Sequence, residues 1–199
     1  MTMLSTYSLE EAIVVARDTY VKISRPRRPV PIDPILRYAE KVESAARGQP
    51  YSIKTMIVDV EKNEYRGIFA RGLSSSTIYL SHELNDCWKR FVICKEAIHL
   101  LVDDSDLRYA KSVRDQTMEA FQMFWPTQSR APLTSEVFAS VVAFEILYPW
   151  ESRRAISKPP EDMHQEAVDF KIPEHHLDAY FRCTFGILSE EINSGILVP

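Results

Sequence analysis

Apolar residues recur at a helical spacing of three or four positions along much of the chain. The first predicted helix covers residues 8–21 and begins at Ser8, where Glu11 completes a capping pattern. Pro34 occupies the first turn of the second predicted helix, which ends before Gly48. The other predicted helices cover residues 82–102, 112–124, 134–147, 161–170 and 174–185.

Three short segments between the second and third helices have the composition of β-strands. They cover residues 52–59, 65–70 and 77–80, and Asn63 marks a turn between the first two. Their short spacing predicts an antiparallel meander. The predicted fold class is therefore α+β, with a small antiparallel three-stranded sheet packed on a helical bundle. Residues 1–150 are expected to form the main domain, and residues 151–199 a C-terminal helical pair packed on the same domain.

The third predicted helix carries the sequence Lys95-Glu96-Ala97-Ile98-His99, which matches the zinc-peptidase pattern H-E-x-x-H except at its first position. In the active pattern the two histidines hold zinc from one helix face, and the glutamate is the general base. Lysine at neutral pH is a cation with three donors and no acceptor, so it cannot ligate zinc while protonated. The scaffold indicates a metallopeptidase, and Lys95 argues against one.

A zinc peptidase of this type needs a third protein ligand, commonly a carboxylate on a later helix. Glu136 is the candidate, because it lies in the first turn of a strongly apolar helix and shares a face with Ala143 that points to the core. Glu145 lies about half a turn around the same helix, at ~100° per residue, and is expected to face solvent.

Further motifs occur in the order and spacing of a known family. They are Pro31-Ile32-Asp33-Pro34, Thr77-Ile78-Tyr79-Leu80, Glu136-Val137-Phe138-Ala139-Ser140, Ile146-Leu147-Tyr148-Pro149 and the segment 166–173. Together with the helix motif at 90–101, they resemble the ImmA/IrrE family of zinc metallopeptidase domains, found in bacteria and mobile elements. The resemblance covers about residues 8–185, although residues 103–133 follow no pattern of that family.

The resemblance implies a gluzincin-like minimal metallopeptidase fold and assigns roles to three residues. Glu96 would be the general base if the protein is active, and His99 and Glu136 would be metal ligands in a site that Lys95 leaves incomplete. Active relatives typically act on a DNA-bound repressor encoded nearby. The resemblance therefore implies a regulatory protein partner, such as a transcriptional regulator.

Two hypotheses follow from Lys95. In the first, its ammonium fills the place of zinc between Glu96 and Glu136, no cofactor is expected, and the domain is a pseudoenzyme that binds a regulatory protein. In the second, zinc still binds through His99, Glu136 and water, and the protein is an active endopeptidase that cleaves a regulatory protein such as a repressor. Whether the protein is an enzyme stays open at this point.

Other residues could be considered for the missing ligand. Cys94 points about 100° away from the required direction, and is expected to be a buried core residue. His82 is expected to be exposed at the start of the helix, where Ser81 or Asn85 would form the cap. Three later histidines are expected at the surface: His164, His175 and His176.

Composition limits the remaining function classes. The net charge is -4, which gives no electrostatic case for direct nucleic-acid binding. Three cysteines without close pairing favour a reducing cytoplasm. The N-terminus lacks the pattern of a signal peptide, and no apolar run approaches the ~18 residues of a membrane span. We therefore expect a cytoplasmic protein that does not enter a membrane.

Overall fold

The computed structural model describes residues 7–23, 28–60, 66–102, 133–153, 162–182 and 184–195. The strands are β1 (Ser52–Val58), β2 (Gly67–Arg71) and β3 (Ser75–Ser81). The helices are α1 (Leu9–Ile23), α2 (Ile32–Arg47), α3 (Asp86–Val102), α4 (Ser135–Leu147), α5 (Trp150–Arg153), α6 (Met163–Phe170), α7 (Glu174–Arg182) and α8 (Thr184–Ser194). The predicted α+β class is confirmed, and the predicted helix over 112–124 lies outside the described residues. Among the described helices, none has the length and apolar character that a membrane crossing requires.

The three-stranded sheet is mixed, so the predicted antiparallel meander is wrong. The strand order is β1-β3-β2, with β1 parallel to β3 and β2 antiparallel to β3. Among the described strands, only β2 and β3 form a hairpin, whose turn is closed by the Gly72 N–H donating to the Ser75 carbonyl at 2.8 Å. Three residues separate β2 from β3, whereas eight separate β1 from β2, so no tight turn forces β1 and β2 to pair.

Two acids of α2 attach the sheet to the helices. Glu40 accepts a hydrogen bond from the Ile53 N–H of β1 at 2.8 Å. Glu43 is buried and receives two guanidinium groups, from Arg47 of its own helix at 2.7 Å and from Arg71 of β2 at 2.6 Å. Because these acids contact both edge strands, α2 fixes the sheet on one side while α3 follows directly from β3.

The α4 helix is the centre of the helical bundle. Every residue from Phe138 to Leu147 is buried, and α1 and α3 both pack against α4. A helix that is apolar around its whole circumference belongs in a core. The prediction that Glu145 faces solvent is therefore wrong: Glu145 is 4% exposed, because neighbouring elements cover every face of α4 near its C-terminal end.

Arg153 neutralises Glu145 and connects α4 to the C-terminal helices. Its guanidinium lies 2.6 Å from the Glu145 carboxylate, and the whole residue is only 1% exposed. It also donates to the Tyr180 hydroxyl of α7 at 2.9 Å and to the Ser189 hydroxyl of α8 at 3.0 Å. Burial would lower the pKa of Arg153, but Glu145, Tyr180 and Glu190 together outweigh burial and raise it. The residues predicted as a C-terminal pair thus include a third helix, α8, and share one buried ion pair with α4.

We expect Arg153→Met to lower the free energy of unfolding by about 3–5 kcal/mol, because Glu145 would stay buried without its cation. Urea denaturation at pH 7 measures the effect. Arg182→Met is the matched control, since it removes a pair with Asp178 whose side chains are 77% and 40% exposed, and it should cost less than about 1 kcal/mol. Similar small losses in both variants would contradict the role of the buried pair.

Candidate functional site

The α3 helix places the three motif residues on adjoining faces. Its start is capped by Asn85, one of the two predicted caps. The side-chain oxygen of Asn85 accepts a hydrogen bond from the Trp88 N–H at 3.0 Å. Lys95 and His99 are four positions apart and therefore share a face, and Glu96 is three positions before His99. Lys95 and Glu96 are buried, at 4% and 5% exposed.

Glu136 reaches this cluster from the first turn of α4. The helix begins at the predicted cap, Thr134, whose hydroxyl accepts from the Val137 N–H at 3.3 Å. The carboxylate of Glu136 is 39% exposed, so the cluster opens to solvent on the side of this residue. A carboxylate in the first turn also interacts favourably with the positive end of the helix dipole.

The structure brings all four sequence-predicted residues together. The Lys95 ammonium lies 3.0 Å from Glu96 Oε1 and 3.0 Å from Glu136 Oε2. His99 Nε2 lies 3.3 Å from Glu136 Oε1. We call these four residues the Lys95 cluster. The cluster joins α3 to α4 through one cation shared by two carboxylates.

The charges in the Lys95 cluster stabilise one another. Burial alone would lower the pKa of the Lys95 ammonium, but the attraction of Glu96 and Glu136 outweighs burial and raises it. Burial would raise the pKa of Glu136, but its hydrogen bond with His99 and the charge of Lys95 hold it well below the usual range. Lys95 is therefore protonated and Glu136 ionised at neutral pH.

The residues present do not fit a zinc ion. A catalytic zinc takes three protein ligands and a water, whereas a protonated lysine offers no lone pair. The Lys95 ammonium lies at hydrogen-bond distance from the two carboxylates that a metal at this position would approach. In the part of the chain that the structure describes, no group of three or more His, Cys, Asp or Glu side chains is arranged to hold a metal.

The other residues considered as substitute ligands lie away from the Lys95 cluster or point elsewhere. Cys94 is fully buried in the core as expected, and burial raises the pKa of its thiol to about 12. His82 is exposed at the start of the α3 region, and its ring lies 3.3 Å from Asp59. A thiol that stays protonated at neutral pH is a poor metal ligand, since metals bind the thiolate.

The expectation for the three later histidines is correct for one of them. His164 is exposed and pairs with Glu174 at 2.9 Å. His176 is 1% exposed and His175 is half-buried, so the surface prediction for this pair is wrong. Both rings pack on Trp88, nearly ninety positions earlier in the chain, which a local sequence pattern could not reveal.

No family model and no curated protein matches this chain. The resemblance to the ImmA/IrrE family therefore rests on the motifs in the sequence. The geometry of the Lys95 cluster does not depend on that resemblance, because the distances and charges of the four side chains are those of this chain.

We expect Lys95→Met to lower the free energy of unfolding by about 3–5 kcal/mol at pH 7, because two carboxylates would lose their shared cation. In the wild type the lowered pKa of Glu136 stabilises the fold above the unfolded carboxyl value of 4.5, and this stabilisation is lost as the pH falls. The difference between variant and wild type should therefore shrink below about pH 4.5. Urea denaturation at several pH values tests both points.

Lys41→Met provides the control for this variant, since Lys41 is exposed on α2. Its effect should stay within about 0.5 kcal/mol at every pH. The electrostatic account of the Lys95 cluster is wrong if Lys95→Met costs no more than this control, or if its cost does not depend on pH.

Proposed function

We propose that this protein is a regulatory protein-binding module built on a metallopeptidase scaffold that has lost its catalytic metal, as in a pseudoenzyme. The observation that carries the proposal is the Lys95 ammonium, held 3.0 Å from both Glu96 and Glu136. This cation satisfies the acids of the scaffold without a metal. The module would keep the fold of an ImmA/IrrE-like domain and lack its hydrolytic chemistry.

The charge balance supports a site that functions without a metal. A divalent cation next to a protonated Lys95 would be repelled, and metal ligands must first lose their protons. Because Glu96 and Glu136 raise the pKa of Lys95, deprotonating it is more costly here than for a lysine in water. Without that deprotonation, only His99 and Glu136 remain of the three ligands in the active pattern.

The proposed partner is a protein that controls transcription, and the proposed location is the cytoplasm of a bacterium or of the host of a mobile element. This part of the proposal comes from the family resemblance. The net charge of -4 favours a protein partner over direct contact with nucleic acid. The alternative function, a zinc-dependent endopeptidase that cleaves a repressor, retains Glu96 as general base and His99 and Glu136 as ligands.

Replacing Lys95 by histidine tests whether this residue is what excludes zinc. We expect the wild-type protein to carry no stoichiometric zinc, and its melting temperature not to respond to added zinc. The Lys95→His variant should bind about one zinc and melt at a higher temperature when zinc is present, because a ligand of the folded state stabilises it. Elemental analysis and thermal melts with and without zinc measure both quantities.

Lys95→Gln is the matched control, because it also removes the ammonium but supplies no imidazole. It should not gain stoichiometric zinc. Zinc at one equivalent in the wild type would overturn the proposal. So would a chelator-sensitive peptidase activity of the wild type that Glu96→Gln abolishes, and that result would establish the endopeptidase instead.

Co-expression with a repressor encoded beside the gene tests the partner. The proposal expects the repressor to remain full length and to copurify with the tagged module. A repressor that is shortened in the presence of the wild type, and left intact with Glu96→Gln, would support the endopeptidase. A repressor that is neither bound nor cleaved would contradict the proposed partner.

A further inference from the structure

A second cluster of interacting side chains lies at the contact between α3 and α7. The Arg66 guanidinium lies 4.0 Å from the centre of the Trp88 ring. His175 stacks on Trp88, with ring centres 4.7 Å apart and an angle of 27° between the planes. His176 lies 4.1 Å from His175 and 4.2 Å from Phe91, measured between ring centres. Two imidazole rings from the first turn of α7 thus pack against the aromatic side chains of α3.

The surroundings of these rings favour neutral imidazoles. Burial, and then the charge of Arg66, lower the pKa of His175 to about 4. Burial, the neighbouring His175 and Arg66 lower the pKa of His176 well below its usual value. From α3, the facing residues Trp88 and Phe91 carry no charge.

On α7 itself, two acids lie near the histidine pair. Asp178 raises the pKa of His175, but burial and Arg66 outweigh its effect. Glu174, the residue before the pair, is engaged with the exposed His164 at 2.9 Å. Among the described residues, the cation that faces both imidazoles is Arg66, which comes from the segment just before β2. A second positive charge on either ring would be placed against this guanidinium.

We propose that His175 and His176 form an acid-sensitive latch, which holds the first turn of α7 on Trp88 and Phe91 while both rings are neutral and releases it when they are protonated. Protonation places an imidazolium in a buried aromatic contact beside Arg66. The rest of α7 remains attached, because Tyr180 near its other end is bonded to the buried Arg153. The opening is therefore local to the start of α7.

The direction of the pH effect follows from proton linkage. The unfolded or released rings bind protons near pH 6.5, and the docked His175 ring only near pH 4. Docking is therefore fully stable above pH 6.5 and weakens as the pH falls from 6.5 towards 4. For His175 alone, lowering the pH from 7 to 5 should reduce the docking equilibrium constant about 20-fold.

Amide hydrogen exchange of the full chain at pH 7 and pH 5, corrected for intrinsic rates, tests the latch directly. We expect protection in the first turns of α7 to fall at least about 20-fold at pH 5, while α4 keeps its protection. Unchanged protection in α7, or an equal loss in α4 and α7, would overturn a local latch.

NMR titration of the two imidazoles in the wild type is a second test. The apparent pKa values of His175 and His176 should lie well below 6.5, and pKa values near 6.5 would also overturn the latch.

The variant His175→Phe/His176→Phe should keep α7 protected at pH 5, because phenylalanine fits an aromatic contact and does not titrate. His82→Phe is the matched control and should show the same acid-dependent loss as the wild type, since the exposed His82 pairs with Asp59 and is not part of the latch. If the double variant does not fold, Arg66→Gln replaces it. Removing that cation should raise the apparent pKa of His175, and no change would contradict the latch.

Discussion

The fold depends on the requirement that every charge in its interior has a partner of opposite sign. The α4 helix is buried on all sides near its C-terminal end, yet it carries Glu136 at one end and Glu145 near the other. Each acid takes a cation from a different part of the chain, Lys95 from α3 and Arg153 from the segment after α4. These two ion pairs fix which elements lie on either side of α4, so the electrostatics of a single helix determine much of the arrangement of the bundle.

The two cations differ in the geometry that they can satisfy. A guanidinium has five donors in a planar fork, and Arg153 uses them on Glu145, Tyr180 and Ser189 together. Such a group suits a sealed interior, where each donor needs its own acceptor. An ammonium is a compact charge with three donors on a flexible stem, and Lys95 is shared by Glu96 and Glu136 at a place that opens to solvent. Arginine thus stabilises the closed end of α4, and lysine lies at the end where Glu136 is open to solvent.

Local patterns were sufficient to predict most of the helices and the members of the Lys95 cluster. Apolar spacing and caps such as Thr134 are encoded within a few residues, and a motif of five residues fixes relative positions on a helix. The strand order was not predictable in this way, because all three strands have similar patterns and β1 pairs with residues more than twenty positions later, as Ser52 does with Ser75. The predictions for Glu145 and His176 are wrong for a related reason. A prediction from helical periodicity assumes that one side of the helix faces solvent. Glu145 and His176 instead contact Arg153 and Trp88, which a pattern within one helix does not include.

The position of Lys95 has a consequence for how this domain depends on its environment. In a fold completed by a dissolved metal ion, the fraction of filled sites depends on the free concentration of that ion, which differs between growth conditions. A cation attached to the backbone is synthesised together with the two acids that it neutralises, and it cannot be diluted or removed by competing chelators. Under the proposal that Lys95 takes the place of a metal, the surface around Glu136 keeps the same shape whatever the supply of metal. A signal that acts on the proposed module would then reach it by a route other than metal supply.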